Sequence, residues 1–315
     1  MKQLVRIWIL VAAMITCGAL PPQMMGDSMV TTQWSAQAKS KKKSKKKKKA
    51  RKAKKSAKGA KARKSRPAVA SSLASVPAVG KTPQGGARSS ASAWLAVGIP
   101  RGVDNQVINY QAIRVNFNPS LRIPNCVAYE LTATMVDMSD APGHEIRKNF
   151  KYAHDPAVES CPQGWEYRGT GYSRGHMAPA MDMRWNRTTM AQCFYMTNMC
   201  PQDTKLNNDH WRVLEEKVHR WAKRDKRLMV YTGPIMGKNP RMIGKQQQNI
   251  AVPDAFFKVV FAPDQKRAIA FIYDNKPCPG NISKYAVTVA EVERRTGLTF
   301  SSAIPKRQCN IDDWE

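Results

Sequence analysis

Acidic residues are scarce in this sequence, and one long segment has none. The chain of 315 residues carries 52 Lys and Arg against 23 Asp and Glu, which gives a formal net charge of +29 at pH 7. Residues 39–66 hold 18 of those Lys and Arg and no acid, so +11 remains for the rest. Because this segment repels itself and has few apolar residues to bury, a folded core is excluded there, and we expect a disordered tail.

Two roles remain open for this basic tail. It is either a solvated spacer or cell-envelope tether, or a segment that captures nucleic acid by neutralising phosphates and releasing counterions. The overall positive charge favours a polyanionic partner, such as nucleic acid or an anionic surface. Residues 67–97 continue in Ala, Ser, Pro and Gly, which is typical of a linker. We therefore predict disorder over residues 21–97 and one folded domain over residues 98–315.

The apolar run near the start of the chain is short for a membrane span. Residues 1–20 place Lys2 and Arg6 ahead of about 14 apolar residues, whereas a spanning helix needs about 20. This pattern is typical of a secretory signal peptide, with an uncleaved N-terminal membrane anchor as the alternative. We expect the protein to be exported, either secreted or periplasmic, and association with the cell envelope through this segment is a further option.

Cysteine pairs of the CxxC type are absent, and so is a Cys/His cluster with zinc spacing. A zinc site built by cysteines is therefore disfavoured, as is a zinc hydrolase, which would need a His/carboxylate ligand set. Six cysteines follow the predicted signal segment, and an even count in an exported chain suits disulfides. Because Cys278 and Cys309 both lie in loop-like C-terminal sequence, we predict that they pair.

Strand and helix patterns mix without the regular order of βαβ units, which favours the α+β class. Alternating β-branched and aromatic residues predict strands, and a capping box of Thr288 with Glu291 predicts a last helix that ends at Gly297. Polar residues with Pro and Gly predict a long surface loop over residues 137–171. The predicted strands cover residues 126–136, 192–199, 227–232, 256–261 and 268–273, and a further helix covers residues 207–223.

Residues 169–215 contain side chains that suit phosphodiester hydrolysis. This reaction needs a base for water, positive charge at the phosphoryl oxygens and help for the leaving alkoxide. His176 can accept a proton near neutral pH, and Arg174, two residues earlier on the same strand face, can bind phosphate through its guanidinium fork. Gly175 leaves room for close approach of the substrate backbone.

Asn207 and Glu215 add the elements of a metal site. Asn207 opens the predicted helix, where a hard cation would take its amide oxygen and keep several waters. Glu215 lies two turns further on, and a carboxylate there would accept hydrogen bonds from those waters, whereas Glu216 would point elsewhere. Each residue also has a plain structural explanation: a packed His176, a helix cap at Asn207, and a surface ion pair between Arg174 and Glu215.

Several short motifs occur together in this stretch and beyond it. Ser-Arg-Gly-His stands at residues 173–176 and Thr-Asn-Met-Cys-Pro-Gln at 197–202, and a Leu-Asn pair at 206–207 is followed by Trp211 and by Leu-Glu at 214–215. Related segments over most of residues 108–301 are VAYEL (127–131), YRGTGY (167–172), YTGPI (231–235), VPDAFFKV (252–259) and ERRTGL (293–298). With these motifs the chain resembles the DNA/RNA non-specific endonuclease family, the ββα-metal nucleases that include endonuclease G-like and secreted bacterial enzymes.

The resemblance implies a fold, a cofactor and a role for each residue. The fold would be the ββα-metal (His-Me finger) nuclease fold, with a central antiparallel or mixed sheet flanked by helices. His176 would be the general base, and Asn207 the sole direct protein ligand of Mg²⁺, with Mn²⁺ as a substitute. Glu215 would be the carboxylate that orders metal-bound water. Arg174, and Arg147 from the long loop, would contact phosphate.

The predicted function is an exported, Mg²⁺-dependent endonuclease that cleaves DNA and RNA without sequence preference and leaves 5′-phosphate ends. Contacts to phosphate and sugar do not distinguish one base from another, so DNA and RNA are both expected partners. A homodimer is a further option. Ser173 stands where the family has Asp, which puts the positioning of Arg174 and His176 in question. The alternative is a nucleic-acid-binding or envelope-associated protein that works through the basic tail and has a weakened or inactive nuclease domain.

Overall fold

The computed structural model describes residues 93–244 and 249–315. The predicted signal segment, the basic tail and the linker up to residue 92 lie outside the described residues. No helix within the described part of the chain is long and apolar enough to span a membrane. The prediction of export therefore depends on residues 1–20 alone.

The described chain is packed against the domain from its first residues, before the predicted boundary at residue 98. The indole of Trp94 packs edge to face on Phe261, with ring centroids 6.2 Å apart. The Tyr231 hydroxyl donates a hydrogen bond to the Trp94 carbonyl, and the Arg227 guanidinium carbon lies 4.8 Å from the Trp94 ring centroid.

Strands and helices mix along the described residues, which confirms the α+β class. The strands are β1 (Gln106–Asn109), β2 (Ile113–Asn118), β3 (Ile123–Thr132), β4 (Tyr172–His176), β5 (Met199–Asp203), β6 (Arg227–Ile235), β7 (Met242–Ile243), β8 (Ile250–Ala251), β9 (Ala255–Ala262), β10 (Arg267–Asp274) and β11 (Ala286–Val287). The α-helices are α1 (Ala133–Asp140), α2 (Ala180–Met183), α3 (Arg187–Cys193), α4 (Thr204–Asn208), α5 (His210–Asp225) and α6 (Val289–Thr296). Short 3₁₀ helices lie at Arg147–Asn149, Met196–Asn198 and Ile282–Tyr285.

A seven-stranded sheet forms the centre of the described domain, in the order β1, β2, β3, β6, β9, β10, β11. Every neighbouring pair in it is antiparallel, so the central sheet is antiparallel rather than mixed. All eight residues of β9 are buried, because layers of side chains cover both faces of the sheet. Phe256 and Val260 face one core, whereas Phe257 and Val259 face the other.

Different helices cover the two faces of this sheet. On one face, α5 contributes Trp211, Leu214 and Val218 to the larger core, which is the apolar helix face that the spacing of these residues predicts. On the other face, α6 contributes Val289 and Val292 to the smaller core. The motif-bearing strands β4 and β5 lie on the side of the larger core, since Met199 and Cys200 belong to it.

Local patterns located much of the sheet and the last helix correctly. The strands predicted over residues 227–232, 256–261 and 268–273 are confirmed within β6, β9 and β10. Helix α6 follows Thr288, whose hydroxyl accepts a hydrogen bond from Glu291 N at 3.1 Å. It ends at Gly297, which adopts the left-handed conformation with φ 70°.

Two predicted strands are wrong in part, because helices with capped N-termini take up some of their residues. The strand predicted over residues 126–136 ends at Thr132, whose hydroxyl accepts from Met135 N at 3.3 Å and caps α1. Residues 192–199 hold the end of α3, a 3₁₀ turn and only the first residue of β5. Asn186 caps α3 by accepting from the backbone N–H groups of the first turn.

All six cysteines of the described residues are free, which contradicts the predicted disulfide between Cys278 and Cys309. Cys278 is buried, and its Sγ donates to the carbonyls of Asp274 and Lys276 at 3.4 and 3.2 Å. Cys309 is exposed. Both cysteines lie in loop-like sequence, but one thiol is buried in the fold and the other is exposed to solvent.

Candidate active site

The Ser-Arg-Gly-His motif lies on β4, which pairs with β5 in a separate two-stranded sheet. The antiparallel register places Arg174 opposite Pro201 and His176 opposite Met199. Because side chains alternate along a strand, Arg174 and His176 share one face, as predicted. β5 is followed directly by α4 and α5, which confirms the ββα order that the resemblance implied.

Gly175 lies between these two residues, and its lack of a side chain serves the protein rather than the substrate. A Cβ atom built on Gly175 would lie 2.7 Å from Gln202 Cβ on β5. The space beside Gly175 is thus filled by the buried Gln202 side chain. The expectation that Gly175 leaves room for the substrate backbone is therefore wrong.

We predict that Gly175→Ala destabilises the domain by about 1–3 kcal/mol, the usual cost of overpacking a buried site. The added methyl group forces β4 away from β5 and displaces His176. The free energy of unfolding, measured by denaturant titration, checks this. Ser173→Ala on the same strand is the matched control; it loses only the exposed hydrogen bond between Ser173 Oγ and Thr204 Oγ1 and should cost about 0.5 kcal/mol. A Gly175→Ala variant as stable as the wild type would contradict the expected clash.

The His176 ring is packed between aromatic side chains and keeps one nitrogen without a partner. Its ring centroid lies 5.0 Å from that of Phe194 and 5.6 Å from that of Tyr152. Nε2 is buried and has no hydrogen-bond partner among the described residues. Burial, with the positive charges of Arg147 and Arg174, lowers the pKa of His176 to about 3. The ring is therefore a neutral proton acceptor at physiological pH.

This lowered pKa predicts how His176 affects stability. The folded ring stays neutral while the unfolded ring takes up a proton below pH 6.5, so the contribution of neutral His176 is fully present above pH 6.5. It is lost as the pH falls from 6.5 towards about 3. An NMR titration of the ring should give a midpoint well below 6.5. A His176→Asn variant should lose less stability over the same interval; an ordinary midpoint would refute the prediction.

Arg174 and Arg147 meet at the ring of Tyr152. The guanidinium carbon of Arg174 lies 4.3 Å from the ring centroid. Arg147, on the 3₁₀ turn of the long loop, donates from Nη2 to Tyr152 Oη at 2.9 Å. The charges of both arginines act on His176. The structure thus brings Arg147 to the same site as Arg174 and His176, where the two guanidinium groups can bind a phosphate.

Asn207 lies on a short helix that is separate from the helix of Glu215. The helix predicted over residues 207–223 is interrupted at Asp209, which is the residue between α4 and α5. Asn207 is also not a helix cap: Asp203 caps α4 by accepting from the N–H groups of Lys205 and Leu206. Capping therefore does not explain Asn207. Its half-buried side chain donates from Nδ2 to Asn208 Oδ1, which leaves the amide oxygen for a ligand.

Glu215 points inward from α5, and Glu216 points elsewhere, as predicted for Glu216. Glu215 Oε1 is buried without a hydrogen-bond partner among the described residues. Burial raises the pKa of Glu215, and the nearby ammonium of Lys258 opposes this effect. Glu216 instead pairs with Arg212 on the exposed side of the helix. Arg174 forms no ion pair with Glu215 among the described residues, and its guanidinium group donates to the Gly164 carbonyl instead. A surface ion pair between these two residues therefore does not explain why either is present.

The donor set of this site suits a hard cation such as Mg²⁺. It offers the amide of Asn207 and the carboxylate of Glu215, whose buried Oε1 has no protein partner in the described part of the chain. Amide and carboxylate oxygens are the ligand types that Mg²⁺ and its waters prefer. No group of three or more His, Cys, Asp or Glu among residues 93–244 and 249–315 could hold a metal ion. A site whose protein ligand is the Asn207 amide is of a different kind, because asparagine is not one of those four residue types.

Ser173 joins the strand of His176 to the helix of Asn207. Its Oγ lies 3.1 Å from Thr204 Oγ1, at the first residue of α4. A serine at this position therefore still links β4 to the metal side of the site. With serine at position 173, Arg174 and His176 still lie on one face of β4, and Ser173 lies on the other face.

Asn198 is a site residue whose role the sequence did not predict. Its Oδ1 accepts from Ala178 N at 2.9 Å, and its Nδ2 donates to the carbonyls of Ala178 and Cys193 at 2.9 and 2.8 Å. These bonds hold the chain just after His176 against the end of α3. Asn198 lies inside the Thr-Asn-Met-Cys-Pro-Gln motif, but only the folded chain shows what its amide contacts.

Comparison with known proteins places this geometry in a family. Residues 90–307 match the model of the DNA/RNA non-specific endonuclease family. Mitochondrial nuclease 1 of Schizosaccharomyces pombe is 32% identical over 241 residues, which cover 69% of this chain and 72% of that protein. The nuclease of Serratia marcescens is 30% identical over 223 residues, which cover 67% of this chain and 80% of that protein.

A solved structure shares the fold as well as the sequence pattern. A chain from the crystal structure of the EndoG/EndoGI complex superposes with a TM-score of 0.59 and 28% identity over 65% of this chain and 88% of that chain. The ββα-metal nuclease fold expected from the motifs is thus confirmed. Because the family model spans most of the sequence and all of the described site, the chain belongs to the DNA/RNA non-specific endonuclease family and is a nuclease.

Proposed function

We propose that the protein is an exported, Mg²⁺-dependent endonuclease that hydrolyses DNA and RNA irrespective of base sequence and leaves 5′-phosphate ends. The observation that carries this proposal is the buried, unpartnered Nε2 of His176. That nitrogen belongs to the last residue of β4, where the charges of Arg147 and Arg174 act on it. A neutral imidazole in such a place serves as a general base.

The protein groups divide the chemistry among them. His176 takes a proton from the attacking water, and its packing against Phe194 holds the ring in one orientation. Arg174 and Arg147 bind the phosphoryl oxygens and stabilise the charge that develops on them. Since these contacts fall on phosphate, the identity of the base has little influence on cleavage.

Asn207 would hold Mg²⁺, with Mn²⁺ as a substitute, through its amide oxygen. When bound, the metal ion supplies positive charge to the phosphate and to the leaving 3′ oxygen. Glu215 orients the surrounding waters by accepting hydrogen bonds. This role requires the ionised form of Glu215, because a protonated carboxyl group would donate one of those bonds instead.

Export to the extracellular space or periplasm is the part of the proposal that rests on sequence alone. The charged and apolar pattern of residues 1–20 supports a signal peptide or an N-terminal membrane anchor. The S. pombe relative carries a mitochondrial name, so fractionation of cells that express the full chain must separate these destinations. Formation of a homodimer and association with the cell envelope are also proposed from the sequence alone.

Analysis of product ends tests the proposed reaction. DNA fragments produced by the full chain should carry 5′-phosphate and 3′-hydroxyl groups. A polynucleotide kinase should therefore label their 5′ ends only after phosphatase treatment. Fragments with free 5′-hydroxyl groups would show that the 5′ oxygen leaves, and the assigned attack would then be wrong.

Deletion of residues 39–66 separates the enzyme from the alternative binding protein. The enzyme proposal predicts that the shortened chain still cleaves DNA but binds it more weakly. The dependence of binding on salt should also become shallower, by a slope of about 0.9 for each phosphate that the basic tail neutralises. Binding measured at several salt concentrations, together with cleavage rates, checks this. Loss of all cleavage with an intact domain would favour the alternative, in which the basic tail is the working part.

A further inference from the structure

One aromatic side chain is exposed in the described part of the chain. Trp165, in the long loop, is 39% exposed, and it is the only aromatic among the large apolar side chains that are exposed in residues 93–244 and 249–315. By contrast, Trp211, Trp221 and Trp314 are buried in the larger core. The Trp165 side chain has no hydrogen bond or ring contact with any described residue. A face of its indole is therefore open to a partner from solution.

The backbone beside Trp165 contacts the arginine of the Ser-Arg-Gly-His motif. Arg174 Nη1 donates to the carbonyl of Gly164, the residue before Trp165, at 2.6 Å. Because a carbonyl oxygen and the Cα of the next residue are less than about 3 Å apart, the Trp165 Cα lies within about 6 Å of Arg174 Nη1. A phosphate bound by Arg174 would therefore have Trp165 as its neighbour.

Hydrogen bonds fix the chain around Trp165. The next residue, Glu166, is buried, and its carboxylate accepts two hydrogen bonds from the Arg122 guanidinium at 2.8 and 2.9 Å. The same carboxylate accepts from Gln163 N at 2.7 Å. The indole thus projects from a turn whose backbone is already ordered, which lowers the entropic cost of binding a ligand there.

The same turn carries an exposed positive charge. Arg168 N donates to the Trp165 carbonyl at 3.0 Å, and the Arg168 side chain is exposed. Arg168 and Arg241 line one surface cavity. The one acid of residues 163–170 is Glu166, whose charge is balanced by its ion pair. The surface around Trp165 is therefore positively charged and attracts a polyanion.

We propose that the turn of residues 164–168 is a subsite for one unpaired nucleotide of the substrate strand, with its base stacked on Trp165 and its phosphate on Arg168. An aromatic face for the base and cations for the backbone are the two elements with which proteins bind single strands. In a duplex the base faces are covered by the neighbouring pairs, so Trp165 cannot reach them. This inference rests on the binding of phosphate by Arg174 in the proposed function. It gives the site a preference for unpaired DNA or RNA that phosphate contacts alone do not provide.

Removal of the indole should weaken the binding of a single strand. The full chain is titrated in EDTA, which prevents metal-dependent cleavage, with a single-stranded oligodeoxynucleotide and with the duplex of the same sequence. Trp165→Ala should raise Kd for the single strand about 5- to 150-fold, the usual loss for one stacked base, and leave Kd for the duplex as it was. Trp165→Phe, which keeps a flat ring, should keep most of the affinity. Trp165→Leu, which keeps apolar bulk without a ring, should lose most of it.

A strand of abasic sites separates stacking from phosphate binding. It keeps every phosphate and offers no base, so the wild type and Trp165→Ala should bind it equally. Arg168→Ala should weaken the binding of the normal and the abasic strand alike and reduce the salt slope by about 0.7, the value for one phosphate of a single strand. Val103→Ala is the matched control, because Val103 has the same exposed fraction, 39%. Val103 lies beside Leu298 of the smaller core, on the other face of the sheet, and its variant should bind every strand like the wild type.

The fluorescence of Trp165 gives a measurement that does not depend on affinity. Its emission, taken as the difference between the wild type and Trp165→Phe, should be quenched by the normal strand and not by the abasic strand. The inference is overturned if folded Trp165→Ala or Trp165→Leu binds the normal strand like the wild type, or if Trp165→Ala loses as much affinity for the abasic strand. If the wild type showed no Mg²⁺-dependent cleavage, the proposed function would fail, whereas these metal-free measurements would still decide whether Trp165 stacks on a base.

Discussion

His176→Ala should lower kcat for DNA cleavage by about 10²–10⁴-fold, the usual contribution of a general base. The ring that offers a neutral, buried Nε2 is lost, whereas Arg174 and Arg147 still bind phosphate. KM should therefore change little. Single-turnover cleavage of a fluorescent oligonucleotide, at saturating Mg²⁺ and enzyme, measures the chemical step without product release.

The control for this variant is a histidine away from the site. The ring of His144 lies in the loop after α1, where its Nδ1 is 3.0 Å from the carbonyl of Ala141. His144→Ala should keep the wild-type kcat. Circular dichroism and Mg²⁺ titration should show that His176→Ala still folds and binds metal. An unaffected cleavage rate in folded His176→Ala would remove His176 from the mechanism.

Asn207→Ala should lower kcat by about 10³-fold at the Mg²⁺ concentration that saturates the wild type, since a metal ion contributes several kcal/mol and each 1.36 kcal/mol is a factor of ten. Alanine favours helix, so α4 should form as before. The group that is removed is the amide that would hold Mg²⁺. Calorimetric titration with Mg²⁺ should show weakened binding, and the rate should rise with Mg²⁺ far beyond the wild-type saturation point.

Asn208 provides a matched control one residue further along. It is exposed at the end of α4, and its Oδ1 accepts from Asn207 Nδ2 at 3.1 Å. Because that bond uses Nδ2 and not the amide oxygen of Asn207, Asn208→Ala should keep the wild-type dependence on Mg²⁺. If Asn207→Ala and Asn208→Ala behaved alike, or if Asn207→Ala bound Mg²⁺ as well as the wild type, Asn207 would not be the ligand.

Local sequence was sufficient where a single segment contains the whole signal. The last helix is the clearest example, since Thr288 and Gly297 mark both of its ends within one stretch of chain. The buried strands β6, β9 and β10 were located by their β-branched and aromatic residues in the same way. The long loop was only partly correct, because its first residues belong to α1.

Local sequence failed where capping or tertiary packing overrode the pattern. Residues 133–136 continue an alternating pattern, but the hydroxyl of Thr132 starts a helix there. The helix over residues 207–223 has unbroken apolar spacing, yet Asp209 separates the turn with Asn207 from the helix with Glu215. The disulfide prediction failed because loop-like sequence around two cysteines does not report the distance between their thiols in the fold.

The candidate site shows the same division. His176 and Arg174 were identified together because they are two residues apart on one strand. Asn198 was not assigned a role, because its effect depends on contacts with Ala178 that only the fold creates.

Digestion of nucleic acid by the full chain tests the central claim most directly. Supercoiled plasmid and a single-stranded RNA are incubated with the protein in Mg²⁺ and, in parallel, in EDTA. We expect both substrates to be cleaved at many positions in Mg²⁺ and to stay intact in EDTA. Intact substrates in Mg²⁺, or equal degradation in EDTA, would contradict the account of a metal-dependent, sequence-nonspecific nuclease.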